Sequence, residues 1–278
     1  MFRDLLVVVD SSNASDNRVE LAGSLAAVHD ADLIGLYVLP IPEPEPSEHP
    51  ALIDEIIIRC IREEQALARE GRRRFEAAVK RYGIKGEWRT AGGIASEEVA
   101  THARYADLVI VGQIDPRAKR TVMPPLVPEE VALSAGRPVL VTPFSWAPGR
   151  VGNHILVAWN ARREATRAVQ DALPLLINAE LVTVLVVNPE NWAMDPHGEE
   201  PGADLALHLA RHGVVVQVDV VVSHGPNVGE VVRAKARETE ADLIVMGAYG
   251  HPRVRELILG GVTRDLLREM TIPVLMSH

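Results

Sequence analysis

Apolar residues in this chain fall into short continuous runs, separated by stretches in which they recur at helical spacing. The first run, Leu5-Leu6-Val7-Val8-Val9, ends in Asp10 and reads as a strand buried on both faces. A helical segment from about Asn17 to His29 follows, then a second strand from Asp32 to Leu39. Strand, helix, strand in this rhythm predicts a parallel sheet. Pro40-Ile41-Pro42-Glu43-Pro44-Glu45-Pro46 is too proline-rich for a helix or central strand and predicts a surface loop. A long amphipathic helix is predicted from about Ala51 to Arg81, with Ile53, Ile57, Cys60 and Ile61 on one stripe. A strand near Gly86 to Ala91, a helix near Ser96 to Tyr105, and strands at Asp107 to Val111 and Pro138 to Val141 complete this order.

The same order then begins again. Ile155 to Asn160 replays Leu5 to Asp10, and Leu181 to Asn188 replays the second strand. A loop from Pro189 to Pro201 leads to a helix near Ala203 to His212, shorter than its counterpart. Strand Val214 to Val222, helix Val228 to Thr239 and strand Asp242 to Met246 follow. Ala106-Asp107-Leu108 matches Ala241-Asp242-Leu243, and Pro138-Val139-Leu140 matches Pro273-Val274-Leu275, both at an offset of 135. Two matched halves with an equal-length segment between landmarks indicate a tandem repeat. The linker is Trp146 to Gly152, too short to let the halves roam.

With 278 residues, 47% of them hydrophobic, each half can bury a core of its own. Aromatics make up only 4%, so those cores are aliphatic, as suits parallel sheets under helices. A net charge of −9 weighs against nucleic acid or an anionic membrane surface as partner. The single cysteine, Cys60, excludes an internal disulfide, and no apolar run has the length of a membrane span, so a cytoplasmic protein is expected.

The chemistry concentrates near the end. The stretch Met246-Gly247-Ala248-Tyr249-Gly250 to Gly260-Gly261-Val262-Thr263 follows the strand run Ala241 to Val245 and precedes the helix-like Arg264 to Met270. Glycines let the backbone turn where a parallel strand ends and let N–H groups approach a phosphate, which a helix N-terminus also attracts. The loop is neither a Walker P-loop nor the dinucleotide fingerprint, and no lysine is placed to reach a terminal phosphate. Binding without efficient phosphoryl transfer is the expectation.

The spacing Gly-x2-Gly-x9-Gly, the Gly-Val-Thr beside it and the closing Ile272-Pro273-Val274-Leu275-Met276 resemble the nucleotide loop of the universal stress protein family. The resemblance covers both halves. It implies an α/β fold of two tandem five-stranded parallel-sheet domains, nucleotide-binding-like with helices on both faces, packed as a pseudo-dimer. Residues 1–145 would be a degenerate domain and 153–278 the domain with the nucleotide loop. The implied ligand is ATP or another adenine nucleotide, with Mg as its usual companion. Its base would lie between Ala158, Val187 and Met246, its ribose by Asn160 and Gly247, and its phosphates on Gly250, Gly260, Gly261, Val262 and Thr263. Asn160 stands where the family has an acid, which weakens the ribose contact by about 1 kcal/mol. Gly261 lacks the family's hydroxyl, which Thr263 remains to supply.

The first half serves as an internal control. At the offset of 135, Gly247 matches Gly112, but Gly250 falls on Asp115, Gly260 on Pro125 and Gly261 on Leu126, so the anion site is lost there. Asp10 and Ser12 nevertheless keep the family's residues at the end of the first strand.

Other constellations are weak. His208 and His212 share a helix face, but no further metal-ligand spacing occurs, and a solvated face is the plainer reading. Trp159 and Trp192 could line an adenine pocket, though Trp159 suits a core position equally. No catalytic residue and no metal site is assigned, and weak ATP hydrolysis is the most that is expected. A stress-response nucleotide binder is therefore expected, with a homodimer and unidentified protein partners compatible with it. The competing reading is an interaction module that binds no nucleotide and acts through protein partners.

Overall fold

The structure, a computed structural model, describes residues 1–12, 14–41, 50–115, 125–147, 149–189, 200–224, 227–249 and 261–278. The prolines at 42–46, the 190–199 part of the second loop with Trp192, and the loop glycines Gly250 and Gly260 lie outside the described residues, as does the side chain of Ile53. The chain forms two compact units, Met1–Pro148 and Gly149–His278.

In the first unit β1 (Asp4–Val8), α1 (Ser15–His29), β2 (Asp32–Pro40), α2 (Pro50–Tyr82), β3 (Gly86–Gly93), α3 (Ala95–Ala103), β4 (Leu108–Gly112), α4 (Pro128–Ser134) and β5 (Val139–Thr142) follow one another. Its strands lie in the order β3-β2-β1-β4-β5, and all are parallel. The second unit contains β6 (His154–Trp159), α5 (Arg163–Leu176), β7 (Leu181–Val187), α6 (Ala203–Arg211), β8 (Val216–Val221), α7 (Val228–Glu238), β9 (Leu243–Gly247), α8 (Gly261–Glu269) and β10 (Val274–Ser277). The order there is β10-β9-β6-β7-β8, again parallel. Each unit is the five-stranded α/β layer structure that the repeated runs predict.

Aliphatic runs make these strands because both faces of a parallel sheet are covered. Leu5, Leu6 and Val7 of β1 and Leu108 to Val111 of β4 are fully buried, as are Leu156 of β6 and Leu243 and Val245 of β9. In the second unit Gly202, the N-cap of α6, abuts Val218 and Val186, whereas Lys235 of α7 meets Asp219 at 2.6 Å. Val218 and Asp219 are neighbours on one strand and point to opposite faces, so α6 and α7 cover opposite sides of the sheet. In the first unit the 33-residue α2 lies over β2 and β3 through Phe75, whose ring stands 5.6 Å from that of Trp88.

Two helices escape the periodicity analysis. α5 has Pro174 inside it and an N-cap, Arg162, whose side chain does not cap the helix, so both of its end signals are missing. It forms because Ala165, Ala168, Val169, Ala172, Leu175 and Leu176 bury one continuous face, and Asn178 Nδ2 donates to the Pro174 carbonyl at 3.0 Å. α4 begins with Pro128 in its first turn, where a missing N–H does no harm.

The matched Ala-Asp-Leu segments have a structural reason. The Asp107 carboxylate accepts the backbone N–H groups of Arg3 at 2.6 Å and Asp4 at 3.2 Å. Asp242 does the same for Gly152 at 2.8 Å and Asn153 at 3.0 Å. Each aspartate also continues the backbone ladder, its own N–H donating to Asp4 O at 2.7 Å or His154 O at 2.9 Å. The start of each unit's first strand is thereby fixed against the start of its fourth, and Leu5 pairs with Leu108 as Ile155 pairs with Leu243.

Asp107→Ala and Asp242→Ala should each destabilise their own unit by about 1–3 kcal/mol, because two backbone donors lose a charged acceptor. Urea unfolding followed by circular dichroism measures this. A loss below about 0.5 kcal/mol for both would show that the carboxylates are dispensable.

Candidate functional site

In each unit the strand order reverses beside the first strand, and in sheets of this kind ligands lie outside the carboxyl ends at such a point. In the second unit it falls between β6 and β9. Ala158 of β6 pairs with Met246 of β9, and Val187 closes β7 on the other side. Ala158 and Val187 are partly exposed and Met246 is buried. Asn160 follows β6 in an exposed turn, its Oδ1 accepting the Arg162 N–H at 3.2 Å, and the intervening Ala161 takes a left-handed φ of 55°. Gly247 closes β9. A Cβ there would lie 2.5 Å from the Ala165 nitrogen and 2.6 Å from the Glu164 carbonyl carbon, so the first turn of α5 rests directly on this glycine. The fold thus gathers five of the predicted residues at the ends of three adjacent strands. Gly261, Val262 and Thr263 form the first turn of α8, which carries no acidic residue. Gly261 is exposed with open space around it, and Thr263 is buried.

The corresponding place in the first unit, between β1 and β4, is filled by Arg18. Its side chain, 1% exposed, runs up from α1 beneath Gly112, where an added Cβ would fall 2.0 Å from Nη1. Nε donates to the Val8 carbonyl at 2.7 Å and Nη2 to Asp10 Oδ2 at 2.6 Å. The other carboxylate oxygen, Oδ1, accepts from the backbone and the hydroxyl of Ser12 at 2.8 and 2.5 Å. Burial works against the charge of Asp10, but the Arg18 guanidinium and the Ser12 donors more than offset it, and the carboxyl pKa lies below its usual 3.8. Asp10, the residue that resemblance directs at a ribose, is thus engaged by the protein itself. Counting from the equivalent residues Asp10 and Asn160, the residue of α5 that matches Arg18 is Ala168, fully buried on the face of α5. An arginine on a helix is normally read as solvent-facing, which is why the sequence analysis passed over it. Its one sequence signal is its place beside Val19, Ala22, Leu25 and Ala26 on the face that α1 buries.

The family description "Universal stress protein family" matches residues 1–143 and again residues 153–278. The chain belongs to the universal stress protein family. Among curated proteins it is similar to the universal stress protein Slr1230 of Synechocystis sp., at 27% identity over 148 residues, 53% of this chain. That match spans 49%, about half, of the relative's own length. Among solved structures it is similar to a universal stress protein from Archaeoglobus fulgidus DSM 4304, with a TM-score of 0.69 and 19% identity over 99% of this chain and 95% of that one. It is also similar to the functionally unknown protein PA1789 of Pseudomonas aeruginosa PAO1, with a TM-score of 0.56 and 16% identity over 99% and 92% of the two chains. At these identities the solved structures speak for the fold.

Outside the two crevices this universal stress protein brings two histidines together at the end of α6. His208 and His212 stack edge to face with ring centroids 4.8 Å apart, and Gln170 Nε2 lies 3.2 Å from His208 Nε2. Among the described residues no group of three metal-ligating side chains occurs, and no helix is long and apolar enough to cross a membrane. An open groove of about 750 Å³ lies between the end of β8 and α7, lined by Ser223, Glu230, Lys235 and Glu269 among others, and shares no residue with the predicted site.

Arg18→Ala should destabilise the first unit by about 3 kcal/mol, the low end for breaking a buried pair, because Asp10 keeps contact with water. A carboxyl whose folded pKa lies below its unfolded one stabilises fully above the unfolded value, here 3.8, and loses that contribution as pH falls through the folded value. Asp10→Asn should therefore be less stable than wild type in urea at pH 7, with the gap narrowing as pH falls below 3.8. A gap independent of pH would show that the pair carries no net stabilisation.

Proposed function

We propose that the second unit binds an adenine nucleotide, ATP or a close relative, at the carboxyl ends of β6 and β9, and that the protein serves a stress response by binding rather than by catalysis. The observation that carries this reading is the contrast between the two crevices: one holds Arg18, whereas at the matching position the other has Ala168, and among the described residues no buried side-chain cation lies at the ends of its strands. Family membership supports the same assignment. Ala158, Val187 and Met246 offer an apolar seat for the base, and Asn160 offers a polar group with one lone pair of Oδ1 and its amide still available for a ribose hydroxyl. The first turn of α8, free of acidic residues and begun by a glycine with open space around it, suits a phosphate, with Gly250 and Gly260 completing the predicted set. A bound nucleotide would bring its own Mg; among the described residues no group of three metal-ligating side chains occurs, and hydrolysis is not part of the proposal.

Gly261→Asp separates binding from folding. Among the described residues a Cβ added at Gly261 meets no atom within 4 Å, and a carboxylate in the first turn of a helix favours the helix. The variant should keep or raise its melting temperature while ATP affinity, read by titration calorimetry, falls at least about tenfold, or 1.4 kcal/mol. Equal affinity in a folded variant would place the phosphates elsewhere. No heat from wild type with millimolar ATP would hand the assignment to the interaction-module reading.

A further inference from the structure

We infer that two copies of the chain pair antiparallel through their β8 strands, centred on Val218. β8 is the outermost strand of the second unit, and its pairing with β7 fixes which of its backbone groups remain free. Val215 O accepts from Val182 N and Val221 O from Asn188 N, so in a parallel ladder the odd-numbered residues of β8 bond inward. The N–H and C=O groups of Val216, Val218 and Val220 therefore point outward. Their side chains share one face, and Val218, Val220 and the adjoining Val222 are 36%, 46% and 53% exposed.

Edge strands are usually guarded by charge, proline or irregularity. The outer strand of the first unit, β3, carries the exposed ion pair Glu87–Arg89, has glycines at both ends, and lies under the long helix α2. β8 has one charge, Asp219, drawn back towards α7 by Lys235. The nine residues of α6, about 14 Å of helix, do not cover the valine row.

Self-complementarity selects a second copy as occupant and sets its register. Two-fold pairing within one sheet keeps side chains on their own face, so the centre must fall on a residue. Centred on Val218, the outward groups of Val216 and Val220 meet those of Val220 and Val216 in the other copy. Gln217 then stands opposite Asp219, an amide donor against a carboxylate, twice over. Gln217 Nε2 uses one of its two hydrogens on Thr183 Oγ1 at 3.0 Å, which leaves the other for this contact. A centre on Asp219 would put two carboxylates face to face, and a centre on Val220 would put each against Val221.

The test uses the intact chain. Light scattering at about 100 μM should give twice the 30.3 kDa chain mass. Val218→Pro removes one outward N–H, a site where an edge strand tolerates proline, and should weaken self-association at least tenfold with an unchanged circular dichroism spectrum. In a Cys60→Ser background, Val218→Cys places two thiols opposite each other with Cα atoms about 5.5 Å apart, within disulfide reach, so mild oxidation should link the copies. Val222→Cys should not link them. A monomeric wild type overturns the inference, whether or not an extended peptide from another protein binds this edge. So does a dimer that survives Val218→Pro, or cross-linking through Val222 in preference to Val218.

Discussion

Each half of this protein depends on one carboxylate gripping two backbone N–H groups. Asp107 and Asp242 hold the first strand against the fourth at their starting ends, and a parallel ladder carries that register along its whole length. The far ends inherit it. Ala158 lies beside Met246, and Gly247 arrives under the first turn of α5, because two hydrogen bonds some five residues earlier set the phase. A one-residue slip would turn the aliphatic faces of β6 or β9 over and put Cβ-bearing residues under that helix. The crevice is thus a property of the sheet's register before it is a property of any loop.

From that shared frame the two halves diverge through side-chain volume. Gly112 and Gly247 are equivalent in sequence, yet the first lies on a guanidinium and the second on a helix backbone. α1 begins at Ser15 and α5 at Arg163, which is two residues earlier when counted from the equivalent residues Asp10 and Asn160. The earlier start brings the turn of α5 onto the glycine, whereas the later start leaves room that Arg18 fills. Burying that arginine is tolerable only because Asp10 and the Val8 carbonyl receive it.

Much of the fold was legible in the chain. Unbroken aliphatic runs marked the strands because a sheet covered on both faces demands them, and the Ala-Asp-Leu match marked the repeat, whereas the hydrogen bonds its aspartates make emerged only in the structure. Strand ends ran long by a residue or two, at Asp10 and Asn160, because polar residues that cap a crevice still follow the run without a break. Helices α4 and α5 were missed because prolines stood where helix signals were sought, and tertiary burial outweighed local propensity. Of the candidate site, the glycine at the end of β9 was readable from spacing, whereas Ala158, Val187 and Met246 came from the family resemblance. What spacing could not supply was the reason the first crevice differs. Asp115 and Pro125 drew attention to a lost loop, while the larger change, a buried arginine eight residues beyond Asp10, wears the pattern of an ordinary helix.

Arg18 also separates the two halves in how they answer to their surroundings. Its pairing with Asp10 ties the stability of the first unit to pH below 3.8, a dependence that Ala168, at the matching place, cannot give the second. A duplicated fold whose copies differ at this one buried position answers acid there with one half only.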